Sequence, residues 1–305
     1  MIRLVVLSRN RPDFLKETIH SFLDQNIDKK KFNIVVSDNS TNNDVSSMMQ
    51  YFLPNRQIEY IRRDPPVSSR QHFRMVIEET KEDYLVIFHD DDVLHPDYLE
   101  KMHHAIKKID GVAIGCNAYI FKNKILDAKK KPHGFSSSKI FNNNQEFLEQ
   151  YLPGGPWIAP YSSYMYKTAA LKKIKFKDSS KSGIGSDVLM INDLINLGDV
   201  IWIPEYLMYY RLHENNDSNN VYMSWKIALI NKMAKSGLDK YSTRVRMLRA
   251  GYWLKWLIRE NYKNHLRWKN RIVLKFVLLS FFYLIFQKLF WRSFFNKHTL
   301  RYLFK

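Results

Sequence analysis

The chain has 305 residues, 45% of them hydrophobic, enough to bury a substantial core in one large domain or in one domain with an appendage. Its one cysteine, Cys116, excludes an intramolecular disulfide and a cysteine-based zinc site, and fits a reducing, cytoplasmic compartment. Of the net charge of +18, Lys240 to Lys305 supply +15, with sixteen Lys and Arg against the single acid Glu260, so a nearly neutral body is expected to precede a tail that meets something anionic.

The start, MIRLVVLSRNRPDF, has no basic n-region, no long apolar run and no small-residue cleavage site, so no signal peptide is expected. Leu4 to Leu7 reads as a first strand. Pro12 suits a first helical turn, and Phe14, Leu15, Ile19, Phe22 and Leu23 recur at helical spacing. Phe32 to Val36 and Ile58 to Ile61 read as strands, and Phe73 to Thr80 as part of a helix. Tyr84 to Phe88 is apolar without alternation, as a central strand covered on both faces would be. Beyond it, Pro96 to Lys108 is helix-like, Val112 to Ile120 strand-like, and Lys122 to Asn144 polar, a loop or ribbon. Asn144 to Tyr151 is a short helix, Tyr161 to Tyr166 and Val200 to Ile203 are strands, and a helix from about Ser186 to Leu197 lies between them. This alternation is the pattern of βαβ units around a mostly parallel sheet.

Four constellations carry chemistry. His89-Asp90-Asp91-Asp92 follows the central strand directly. Adjacent carboxylates repel unless a cation or a donor network neutralises them, and hard divalent ions such as Mg²⁺ or Mn²⁺ prefer oxygen ligands. Ser37-Asp38-Asn39-Ser40 follows the second strand, where Asp38 is placed to accept hydrogen bonds from a base or ribose, although the same residues make an ordinary turn. Asp187, after Gly183-Ile184-Gly185-Ser186, stands at a helix start as either an N-cap or a general base. Tyr209-Tyr210-Arg211-Leu212-His213 offers His213 to a metal and Arg211 to a phosphate, against the plainer reading of a solvated loop.

In this order, over roughly Met1 to Ser218, these segments resemble glycosyltransferase family 2: LVVLSRNRPDFLKETIHSFLDQ, VVSDNS, YLVIFHDDDVLHPDYL, and SDVLMINDLINLGDVIWIPEYLMYYRLHENNDS. The resemblance implies an α/β fold of the GT-A, Rossmann-like type, with helices flanking a mostly parallel central sheet, and inverting transfer of a sugar from a nucleotide-sugar to an acceptor hydroxyl. It implies that Ser8, Arg9, Asp38, Asp90, Asp91 and Arg211 bind the nucleotide-sugar. Asp91, Asp92 and His213 would hold Mn²⁺ or Mg²⁺, and Asp187 would be the catalytic base. Two departures bear on the donor: Asn39-Ser40 stands where Gly-Ser is frequent, and Gln71-His72 where many members carry Arg-Asn. The Gln-x-x-Arg-Trp motif of processive synthases is missing, which implies addition of one sugar or a few.

Trp157, beside Gly154-Gly155-Pro156, is a candidate acceptor-side ring. The expected division is a catalytic domain over residues 1–220 and a helical, basic, aromatic-rich segment over 221–305. In that segment the uncharged run Phe276 to Gln287 is shorter than the ~20 residues of a membrane span. It is therefore expected to lie on an anionic membrane surface, on the inner face of the cell membrane, with Trp253, Trp256, Trp268 and Trp291 among its cations. A lipid-linked or lipopolysaccharide-type glycan acceptor follows from that placement, and the helical region between Tyr222 and Tyr262 serves a dimer as readily as a membrane. The rivals are a nucleic-acid-binding protein, disfavoured by the apolar run, and a sugar nucleotidyltransferase, disfavoured because Ser8 to Arg11 has no glycine.

Overall fold

The computed structural model describes residues 1–130, 136–151, 161–174 and 186–214. The first half alternates strand and helix: β1 (Ile2–Ser8), α1 (Pro12–Leu23), β2 (Phe32–Asp38), α2 (Asp44–Met49), β3 (Ile58–Arg62), α3 (Ser69–Glu79) and β4 (Tyr84–His89). Then come β5 (Val93–Leu94), α4 (Tyr98–Ile109), β6 (Ala113–Phe121), β7 (Lys129–Lys130), β8 (Lys139–Phe141) and α5 (Asn144–Tyr151). The described elements end with β9 (Tyr164–Lys167), α6 (Thr168–Leu171), α7 (Ser186–Ile195) and β10 (Val200–Arg211).

The strands form one sheet in the order β3-β2-β1-β4-β9-β6-β10-β5, with β7 on β6 and β8 on β10. Pairing is parallel from β3 through β4 and between β6 and β10, and antiparallel where β9 joins β4 to β6 and where the short strands attach. The expected α/β class and the long parallel blocks are therefore present. The reason lies in the strands themselves: in β1, β2 and β4, Leu4, Val5, Val6, Ile34, Val35, Val36, Val86 and Ile87 are all buried, so both sheet faces need helices and crossovers must be helical.

One face of the sheet packs against α1 through Leu15, Ile19 and Phe22, and against α4 through Tyr98, Leu99, Met102 and Ile106. These positions recur every three or four residues, the period of a helix with one buried stripe. Phe22 meets Phe88 of β4 edge-on, with ring centroids 5.5 Å apart. Burying each such side chain contributes about 1.5–3 kcal/mol. Helix α4 stops at Asp110, whose φ of 57° is left-handed, and Gly111 follows where a Cβ would meet Ile201 at 2.6 Å.

β10 is longer than expected. It runs on past Ile203 because its register against β6 shifts twice, between Ile203 and Tyr206 and between Tyr206 and Met208. Those irregularities accommodate Pro204, which has no N–H for the ladder, while its carbonyl accepts from Asn117 Nδ2 at 2.7 Å. As a result the strand carries Arg211 to the end of the sheet.

The chain divides into two compact units. The first comprises Met1–Asn142, Ile158–Asp178 and Asp193–Asn216 and contains every described strand; the second comprises Asn143–Trp157, Ser179–Asn192 and Asp217–Lys305, of which α5 and the start of α7 are described. The expected boundary at residue 220, the basic segment 221–305 and its membrane-facing aromatics lie outside the described residues. Among the described residues, no helix is long and apolar enough to cross a membrane.

Candidate functional site

The parallel register brings three strand ends level. Ser8 pairs with Asp38, and Leu7 with both Ser37 and His89, so the loops after β1, β2 and β4 leave the same edge of the sheet. In such sheets the ligand crevice lies beyond the carboxyl ends of the strands. The first two loops are tied together. Asn10 takes a left-handed φ of 56°, which Asn tolerates better than most residues. Its backbone N–H donates to Ser40 Oγ at 2.8 Å, and its Oδ1 accepts from the Thr41 N–H at 2.9 Å. That turn directs the Arg9 N–H and the Arg11 side chain toward the acidic loop after β4.

All three aspartates of that loop are buried, and each has its own donors. Asp90 Oδ2 accepts from Ser8 Oγ at 3.1 Å and from the Arg9 N–H at 3.0 Å. Arg11 bridges two of them, its Nη1 lying 3.3 Å from Asp90 Oδ1 and 2.9 Å from Asp91 Oδ2. His213 Nε2 lies 2.8 Å from the same Asp91 oxygen. Asp92, fully buried, accepts from Ser162 Oγ at 3.1 Å and from the Arg211 backbone N–H at 3.0 Å. The Thr18 hydroxyl lies 3.1 Å and 2.7 Å from the carbonyl oxygens of Asp90 and Asp92, which fastens the loop to α1.

This environment separates the three carboxyls. Burial, reinforced by the Asp91 charge, pushes Asp90 above the usual carboxylate range and Asp92 well above it. Burial also acts to raise Asp91, but the His89 charge, the His213 hydrogen bond and Arg11 together outweigh it and hold Asp91 below its ordinary value. Negative charge is therefore concentrated on Asp91.

His89, Asp91 and Asp92 each offer a ligand atom, all within 4.8 Å of one another, and two carboxylates with one imidazole suit a divalent cation. That group differs from the expected Asp91, Asp92 and His213 in one member: His89 stands in it, while His213 reaches Asp91 as a hydrogen-bond partner.

Arg211 is 3% exposed. Its guanidinium carbon lies 4.7 Å from the Phe14 ring centroid and 4.4 Å from that of Phe121. Its Nε donates to the Asp91 carbonyl at 2.9 Å, and Nη2 donates to Glu17 of α1. The side chain expected at a phosphate is thus held between α1 and the backbone of the acidic loop. Arg11, not among the residues expected from the sequence, faces Asp90 and Asp91 with its side chain. Its signal was position: it stands three residues beyond Ser8, in the loop that must follow β1.

Asp38 lies beside this cluster and is fully buried. Its Oδ2 accepts from Tyr60 Oη at 2.7 Å and its Oδ1 from the Ser40 N–H at 2.9 Å, while Arg62 Nη1 stands 3.9 Å away. Burial and the Asp38 hydrogen bond push the Tyr60 hydroxyl up to about 12. Asn39 clamps the chain before α3, donating Nδ2–H to the Val67 carbonyl at 2.9 Å and accepting from the Val67 N–H at 2.8 Å. That pair of hydrogen bonds accounts for an Asn at this position. Beneath it His72 Nε2 lies 2.7 Å from Ser37 Oγ, and Arg63 joins Ser37 Oγ at 3.1 Å to Glu79 through two bonds of 2.7 Å. Burial, then the Arg63 charge, lowers His72 to about 4, so the ring is neutral.

The structure thus brings together Ser8, the Arg9 backbone, Asp90, Asp91, Asp92, Arg211 and His213, with Asp38 on the adjoining strand. Asp187 belongs to the second unit, half-buried in the first turn of α7, where its Oδ1 accepts from the Val188 N–H at 2.8 Å. Trp157 lies outside the described residues.

Residues 4–175 match the family described as Glycosyl transferase family 2. Among solved structures, S. aureus TarS 1-349 in complex with UDP-GlcNAc is similar at 14% identity and a TM-score of 0.65, over 88% of this chain and 77% of that one. S. aureus TarS is similar at 13% identity and a TM-score of 0.62, over 94% of this chain and 50% of that one. At those identities the likeness concerns the GT-A fold. None of the curated proteins matches the chain.

Proposed function

The chain belongs to glycosyl transferase family 2, and on that premise we propose that it transfers a sugar, with inversion, from a nucleotide-sugar to a glycan hydroxyl. The observation that carries the proposal is the buried Asp90-Asp91-Asp92 loop, wired to the ends of β1 and β10 through Ser8, Arg11, His213 and the Arg211 backbone. Three adjacent buried carboxyls repel one another, and a loop that gives each of them donors suits a cation site better than a solvated turn. UDP is the favoured nucleotide, supported by the UDP-GlcNAc held by the TarS fold relative. The transferred sugar is then a hexose or an N-acetylhexosamine.

In this reading Ser8, Arg9 and Asp38 line the nucleoside end, with Asp38 held in place by Tyr60 and Ser40. Asp90 and Asp91 face the ribose and diphosphate. A divalent cation on His89, Asp91 and Asp92, with His213 alongside, would supply positive charge to the departing diphosphate. Arg211 keeps the acidic loop in register by fixing the Asp91 carbonyl and the Asp92 carboxyl, and so acts on the donor through other residues. Asp187 takes the acceptor hydroxyl proton as the oxygen attacks the anomeric carbon. Trp157 stacks on the acceptor. The basic segment 221–305 holds the enzyme on the cytoplasmic face of an anionic membrane, where a lipid-linked, lipopolysaccharide or other surface glycan is assembled.

A thermal-shift panel of UDP-, GDP-, CMP- and dTDP-sugars, with and without Mn²⁺, tests the proposal on wild type and Asp91→Ala. Stabilisation by one nucleotide class that needs both Mn²⁺ and Asp91 is expected. No shift with any nucleotide under any metal condition would make the acidic loop structural and sink the reading.

A further inference from the structure

The residue that the proposed chemistry leaves without a task is Arg11. It is the N-cap of α1, one residue before Pro12, and its side chain is 35% exposed. It is the arginine seen on the faces of the two most accessible carboxylates, with one nitrogen on Asp90 Oδ1 and Asp91 Oδ2 together. Asp91 is the same carboxylate that belongs to the metal-compatible group with His89 and Asp92. A guanidinium 2.9 Å from Asp91 Oδ2 and a divalent ion bound to that carboxylate would repel strongly, since both are cations sharing one anion.

We propose that Arg11 is an exchangeable counter-ion: it competes with the divalent cation for Asp90 and Asp91, and when the cation takes the carboxylates it turns to the diphosphate of the donor. This deepens the glycosyltransferase reading and rests on it. Three features of the structure suit the exchange. Arg11 is part exposed, whereas Arg211 at the same loop is buried between two rings and bonded to Glu17, so only the former has room to move. The turn that carries Arg11 is anchored independently by Asn10 on Ser40 and Thr41, so releasing the side chain leaves the backbone in place. And a guanidinium, here meeting two carboxylates through one nitrogen, also has the donor fork that suits phosphate oxygens.

The consequence is a pair of effects with opposite sign, which a merely structural arginine would not give. In Arg11→Gln, Mn²⁺ alone should bind about fivefold tighter than in wild type, because a part-exposed ion pair no longer competes. In the same variant UDP in saturating Mn²⁺ should bind about tenfold weaker, for loss of a charge-assisted contact. Arg11→Lys should fall between on both counts, since an ammonium is a point charge without the fork. Titration calorimetry of Mn²⁺, and then of UDP in Mn²⁺, into the full chain measures both, with circular dichroism to confirm that the variants fold. If Arg11→Gln binds Mn²⁺ no tighter than wild type while Asp91→Ala abolishes Mn²⁺ binding, the counter-ion proposal fails and the metal reading stands. If Asp91→Ala binds Mn²⁺ as wild type does, the metal reading fails and the Arg11 proposal falls with it.

Discussion

Replacing Arg211 by Met separates a buried clamp from a phosphate ligand. The substitution keeps an apolar stem between Phe14 and Phe121 but removes every side-chain N–H. The Asp91 carbonyl then loses its Nε–H donor in a buried setting, which costs about 1–3 kcal/mol. The pair with Glu17, whose side chain is 52% exposed, contributes at most about 1 kcal/mol. The cation–π contacts with the two rings add about 0.5–1 kcal/mol each. Together these give a destabilisation of about 3 kcal/mol, or a fall in Tm of roughly 6–12 °C for a domain of this size. Thermal unfolding followed by circular dichroism measures it, with Glu17→Gln as a companion that should stay within about 1 kcal/mol of wild type. A Tm for Arg211→Met within about 2 °C of wild type, accompanied by loss of UDP binding, would refute the clamp and return Arg211 to the phosphate.

Further outcomes follow from the same geometry. His72 titrates near 4 in the folded chain against 6.5 unfolded, so the unfolded state takes up a proton that the folded state refuses. Its contribution to stability is complete above pH 6.5 and falls as pH drops toward 4, with a slope of at most about 1.4 kcal/mol per pH unit; urea unfolding across that window should show the slope reduced in His72→Asn. Gly115→Ala places a methyl 2.7 Å from the Tyr164 ring and 2.8 Å from Trp202, and overpacking of that kind should cost about 1–3 kcal/mol by denaturant titration. Asp187→Asn should lower kcat by roughly 10²-fold or more with UDP affinity unchanged, whereas parallel losses of both would assign Asp187 to donor binding.

Much of the fold was legible because the sheet is parallel where the chain begins. Buried strands such as Leu4 to Leu7 and Tyr84 to Phe88 read as unbroken apolar runs, and Pro12 and the stripe Leu15, Ile19, Phe22 marked α1. The site residues that follow such strands were equally visible, because their positions are set by where the strands stop. What was hidden depended on partners far along the chain. The strand after Asp92 is two residues long and exists only because Val93 and Leu94 pair with Tyr209 and Met208. β10 looked as though it ended at Ile203 because Pro204 breaks a local pattern, and only the register shifts against β6 show how it continues. The different settings of Arg11, part exposed on the carboxylates, and Arg211, held over Phe14 and Phe121, turn on which side chain is buried between rings. No spacing rule encodes that.

The most direct test of the central claim is calorimetric titration of UDP into the wild-type chain in Mn²⁺ and in EDTA, repeated with Asp91→Ala. Binding in Mn²⁺ that weakens at least about tenfold in EDTA, and equally in the Asp91 variant, is the expected result. UDP affinity that is the same in all three conditions would contradict it.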